Sequence, residues 1–113
     1  MSRTVLNEIK TQLGVTDENV DFDKEIRPLI NSGLMILEDI NVKGKVLQIT
    51  DDTTCDEFME PGHIRDTIFT WLYTHCRLLF DPPTSATVVE SFKSTKAELA
   101  WRLQTRFDKV EDI

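Results

Sequence analysis

Glycine is scarce in this chain, with 4 residues in 113. No Gly-rich stretch can cradle a phosphate, and neither a P-loop nor G-x-G-x-x-G is present. No G-x-S-x-G elbow exists to present a nucleophilic serine, so Ser85 and Ser91 with His75 do not make a hydrolase. Cysteine is scarcer still, with 2 residues and no C-x2-C or H-x3-H spacing beside them. His75 and Cys76 are neighbours, about 100° apart on a helix, and do not converge on a metal. Cys55 and Cys76 read as free thiols of a reducing compartment. No apolar run approaches the roughly 20 residues that span a bilayer. The first residues, MSRTVLNEIK, hold no apolar signal core, so an intracellular protein with no membrane partner is expected.

Basic charge is also lacking. The chain carries 13 Lys and Arg against 20 Asp and Glu, a net charge of −7. Residues 1–42 hold 4 basic and 8 acidic side chains, 43–62 hold 2 and 5, 63–80 hold 2 and 1, and 81–113 hold 5 and 6. Tight nucleic-acid binding needs a Lys/Arg footprint on phosphate, and no segment supplies one. A recognition helix is poorly served by Arg65 and Arg77 on one candidate helix, or by Lys93, Lys96 and Arg102 on another. Asp21-Phe22-Asp23-Lys24-Glu25 starts like a calcium loop. However, Ile26 stands where the loop needs glycine, and Ser32 where it needs glutamate. These acids suit a helix start better. No catalytic residue, cofactor or metal is expected.

What is present is helical periodicity, and the length fits one domain. Val5, Leu6, Ile9 and Leu13 form one stripe, predicting a helix over about 4–13, stopped by Gly14. Asp23 is the expected N-cap of a second helix over about 24–41. Its apolar face holds Ile26, Leu29, Ile30, Gly33, Leu34, Leu37 and Ile40, with Met35 pointing away. Gly33 on that face predicts a close helix crossing. Pro28 predicts a late start or a kink, because it lacks an N–H and crowds the preceding turn.

Residues 43–62 break the pattern and read as a long acidic loop, with KVLQIT as a possible short strand. A third helix over about 63–80 places Ile64, Ile68, Trp71, Leu72, His75 and Leu79 on one stripe. Phe69, Tyr73, Cys76 and Phe80 make a second beside it, leaving a polar arc of Asp66, Thr67, Thr70, Thr74 and Arg77. Such a helix is the central one. His75 is expected at a packed face with a hydrogen-bond partner, and His63 at the helix N-terminus. Asp81-Pro82-Pro83 ends this helix and makes a stiff joint.

A fourth helix over about 85–104, capped by Thr84 or Ser85, carries Val88, Phe92, Leu99 and Leu103. Trp101 falls nine residues after Phe92, about half a turn out of phase. It therefore points outward, and outward aromatics are enriched at interfaces. The expected fold is all-α: a compact four-helix bundle over 1–104, a long acidic loop between helices 2 and 3, and a C-terminal tail over 105–113.

The order of these parts resembles a known family. EIRPLINSGLMIL, the aromatic helix ending YTHCRLLFDPP, and ESFKSTKAELAWRLQ are similar to the small head–tail connector, or head-completion, proteins of tailed bacteriophages. The LLFDPPTS joint before a helix ending ELAWRL is the most specific part. The resemblance covers about residues 3–104, and the acidic 43–62 segment and Pro28 depart from the family pattern.

It implies a non-enzymatic virion subunit of the neck, present in host cytoplasm during assembly. Its partners would be the portal protein, the next tail-joining (head-closure or tail) protein, and copies of itself in a ring, expected to be a dodecamer. DNA would pass through without tight binding. Trp101, Arg102, Phe107, Asp108, Lys109 and Ile113 are the expected interface with a neighbour or the portal. The acidic loop, with Asp51, Asp52, Asp56 and Glu57, is expected to face the channel or the next tail component. The competing reading is a monomeric helical binding or regulatory module with no place in a virion.

Overall fold

The computed structural model describes residues 3–111, with side chains through Phe107. Five helices follow one another: α1 (Val5–Gln12), α2 (Asp23–Asp39), α3 (Cys55–Phe58), α4 (His63–Phe80) and α5 (Ala86–Glu111). The described residues contain no strand, only an isolated bridge between Thr4 and Thr54. The all-α expectation therefore holds, with a fifth short helix inside the segment expected to be a loop.

α4 is the centre, packing against α5, α2 and α1. Ile68, Phe69, Trp71, Leu72 and Cys76 are all buried on it. Thr74, expected on the polar arc, is buried as well, its hydroxyl donating to the Thr70 carbonyl at 2.8 Å. Leu79, expected on the core stripe, is instead 57 % exposed. The periodicity gives its side of α4 correctly, but the neighbouring helices stand apart there and leave it in an open groove.

α1 starts at Thr4, whose hydroxyl accepts from the Asn7 amide at 3.1 Å. Its Lys10 is fully buried, and its ammonium sits 2.8 Å from an Asp23 carboxylate oxygen. This corrects the role given to Asp23. Phe22 occupies the N-cap of α2 without a side-chain bond, while Asp23 neutralises the lysine one helix away. α2 starts there rather than late, and runs through Pro28.

Gly33 sits at the crossing of α2 and α4. A Cβ there would come within 3.0 Å of Trp71, Leu72 and His75 side-chain atoms. Gly33→Ala should therefore lower stability by about 1–3 kcal/mol, the scale of overpacking. Helix propensity alone predicts a gain of about 1 kcal/mol, so denaturant titration separates the two by sign.

Residues 43–62 are more ordered than expected, because they bring their own apolar residues to the core. Ile49, Cys55 and Phe58 are buried there. KVLQIT does not pair as a strand. Asn31 on α2 takes that role, accepting the Ile49 N–H at 2.7 Å and donating to its carbonyl at 3.1 Å. α3 is held by a capping box between Thr54 and Glu57. Gly44 passes so close to the Phe58 carbonyl that a side chain there would collide.

α4 ends at Phe80, as the Asp81-Pro82-Pro83 joint predicts. Ser85 then caps α5, its hydroxyl accepting from the Val88 amide at 3.4 Å. α5 continues past the expected end at 104 to Glu111. Leu103 on it is buried, and Phe107 packs partly against the core.

Candidate functional site

The Pro-Pro joint turns the chain back so that α5 lies along α4. Near the joint, α5, α4 and the edge of α2 do not close on one another. They leave a groove of about 700 Å³, lined by Ile36, Trp71, Leu79, Pro82, Ala97 and Ala100, with Lys93 and Lys96 on the α5 side. Leu79, Ile36 and the neighbouring Met35 are exposed. Trp101 follows Ala97 by one helical turn but is not one of the residues that line the groove. It is 66 % exposed, so the outward direction read from its phase holds.

A polar chain forms the groove floor. The Lys96 ammonium lies 2.9 Å from His75 Nδ1, and His75 Nε2 lies 2.9 Å from the Ser32 hydroxyl. An ammonium only donates, so Nδ1 is the accepting nitrogen and Nε2 carries the hydrogen. Nε2–H then donates to Ser32, whose own proton goes to the Leu29 carbonyl at 2.8 Å. The direction is opposite to that of a catalytic Ser–His pair, in which histidine takes the serine proton. His75 also stacks on Trp71 with ring centroids 5.3 Å apart, and the Lys96 ammonium sits 5.0 Å from the Trp71 centroid.

Burial, reinforced by the Lys96 charge, pushes the His75 pKa down from 6.5 to about 4. Burial also lowers the pKa of Lys96. The buried Cys76 thiol is pushed up to about 12, chiefly by desolvation. Desolvation likewise raises Cys55. Both thiols are free and buried, and neither is an activated nucleophile. No cluster of three metal-ligating side chains occurs among the described residues.

The other residues expected at interfaces are dispersed. Arg102 donates to Glu98 at 2.7 Å on the exposed face of α5. The side chains of Asp108 and Lys109, and all of Ile113, lie outside the described residues. Asp51 pairs with Arg27 at 2.7 Å and Asp56 with Arg65 at 2.8 Å, while Glu57 closes the α3 cap. Much of the acidity of this segment therefore ties it down. Asp81 pairs with Arg77 at 2.6 Å across the end of α4, which stiffens the joint.

His75 has the packed face and the hydrogen-bond partner expected of it, but sequence reading missed the groove and the identity of its partners, Lys96 and Ser32. The one available signal was the run of small and basic residues facing α4 from α5, namely Lys93, Lys96, Ala97 and Ala100.

No helix among the described residues is long and apolar enough to cross a membrane. No curated protein and no solved structure matches the chain. Residues 5–110 match a family described as phage connector protein. The match covers α1 to α4, the Pro-Pro joint and all but the last residue of α5, almost the whole sequence, and the chain belongs to the phage connector protein family.

Proposed function

We propose that this chain is a head-completion subunit of the virion neck. It forms a ring on the portal, extends the DNA channel, and offers a platform to the next tail-joining protein. The observation that carries this reading is the family match over residues 5–110. Three physical features support it. The net charge of −7 suits a conduit that DNA slides through, since many phosphate contacts would retain it. The joint at Asp81-Pro82-Pro83 fixes the angle of α5, and errors in subunit shape accumulate around a ring. The polar chain on the floor of the groove fixes that angle again, from the other side.

In this reading Trp101 and the end of α5, residues 105–113 included, meet a neighbour or the portal. The 43–62 segment, with Asp51, Asp52, Asp56 and Glu57, faces the channel or the next tail component. Assembly takes place in host cytoplasm, and a ring of twelve is the natural match to a portal of that symmetry.

Negative-stain electron microscopy of the chain mixed with its virus's portal protein tests the reading. A coaxial ring added to the portal is expected. Bare portals beside a monomeric chain would leave a monomeric binding module as the better reading. Trp101→Ala sharpens the test. The indole is 66 % exposed, so folding stability should change by no more than about 0.5 kcal/mol. Ring assembly should weaken by at least about tenfold, the effect of removing an interface anchor. Unchanged assembly would remove Trp101 from the interface.

A further inference from the structure

The groove floor is electrostatically incomplete. Lys96 is partly buried, and no carboxylate pairs with it among the described residues. Its three protons meet a single acceptor there, His75 Nδ1. Most other cations of the chain, including the fully buried Lys10, have carboxylate partners within 4 Å. An unneutralised ammonium between apolar walls, among them Ile36, Leu79, Pro82 and Ala97, calls for an occupant that brings both apolar surface and a carboxylate.

The same chain carries such a surface. In the turn between α1 and α2, Val20 is 63 % exposed, the most exposed of the large aliphatic side chains described. Glu18 and Asp21 flank it, both exposed and neither in an ion pair with a described residue. The turn is pre-shaped. The Asn19 N–H donates to the Thr16 carbonyl at 3.1 Å, the Asp21 N–H to the Asn19 side-chain oxygen at 3.1 Å, and the Asp23 N–H to the Val20 carbonyl at 3.2 Å. Phe22 anchors it, edge-on to Phe80 at 5.3 Å. An ordered knob costs little entropy to dock.

We propose that the groove receives the Val20 turn of a second copy of this chain, with Val20 against the apolar walls and Glu18 or Asp21 on Lys96. The proposal rests on the ring reading and assigns its subunit contact. Phe80 lies nine residues beyond Trp71, half a turn out of phase. Turn and groove are therefore on different sides of α4, and their contact is head-to-tail. Head-to-tail contacts build rings when the rotation closes. A two-fold dimer through the groove would instead bring lysine-bearing rims together, which repel.

The test follows assembly of the full chain, alone and with portal rings, by sedimentation velocity and electron microscopy. Lys96→Glu should weaken assembly by at least about tenfold, the scale of one close charge pair. The exposed pair Glu18→Lys, Asp21→Lys should do the same. All three changes in one chain should restore it, because each copy then offers a reversed groove to a reversed turn.

If wild type assembles and the single-side variants assemble equally well, the inference is overturned and the ring reading stands. Weakening without restoration also overturns it, and points to an acidic segment of another protein in the groove. A wild-type chain that stays monomeric under all conditions overturns both. Should Lys96→Glu lose its helical circular dichroism, Val20→Asp carries the test, since that exposed side chain can change without disturbing the core. Lost assembly supports the contact, and unchanged assembly overturns it.

Discussion

Asp23→Ala is expected to cost about 3–5 kcal/mol, the penalty for leaving a buried charge without its partner. Lys10 is fully buried, and its ammonium has two oxygens in reach: Asp23 at 2.8 Å and the Asp17 carbonyl at 3.3 Å. Removing Asp23 leaves a cation held by one long hydrogen bond. A domain of this size has about 5–15 kcal/mol in total, so the variant should sit near the edge of folding. Its Tm should fall by more than about 10 °C. Asp23→Asn keeps an acceptor oxygen and should cost less, about 2 kcal/mol. Lys10→Met combined with Asp23→Leu should recover most of the loss, because the pair is then replaced by apolar volume. Thermal and urea denaturation of the four chains check this. A loss for Asp23→Ala within about 0.5 kcal/mol would mean that the ammonium reaches water in solution.

That pair shows where sequence reading stops. The stripe Val5, Leu6, Ile9 and Leu13 locates α1 and its core face, but a lysine beside such a stripe normally extends its charge into solvent. Nothing local shows that the α2 start would close over Lys10. The 43–62 segment fails for a similar reason. Its order depends on Asn31, 18 residues before Ile49, and amide clamps of that span leave no periodic trace. α5 beyond 104 was hidden because its last turns are mostly polar, with Phe107 and Val110 alone after Leu103 to continue the apolar spacing. Leu79 marks the remaining limit, since periodicity tells which side a residue takes, not whether a partner meets it.

Features that depend on local chemistry were legible. Gly33 on an apolar face meant a close crossing, and Trp71, Leu72 and His75 are the side chains it admits. The two prolines ended α4 where they had to. The phase of Trp101 placed it outward. The floor of the candidate site was not readable, because it joins Ser32, His75 and Lys96 from three helices.

Acid should act on that floor. His75 titrates at about 4 in the folded chain, against 6.5 for an ordinary histidine. The unfolded chain therefore takes up a proton at a pH where the folded chain does not. The stabilisation is complete above 6.5 and is lost as the pH falls toward 4. A difference of that size is worth about 3 kcal/mol at most, and screening at the open groove brings the expectation nearer to about 2 kcal/mol. Carboxylates also titrate in the lower part of this window, so the comparison needs a reference chain. His75→Gln provides one, since its amide can accept from Lys96 and donate to Ser32 but does not titrate. Urea unfolding at pH 7 and pH 4.5 should show wild type losing about 2 kcal/mol more than His75→Gln. Parallel losses would mean that His75 is already solvated. Protonation would also set an imidazolium against the ammonium of Lys96, now 2.9 Å from Nδ1. Lys96 would swing away from Trp71, and the groove would lose its floor before the helices melt.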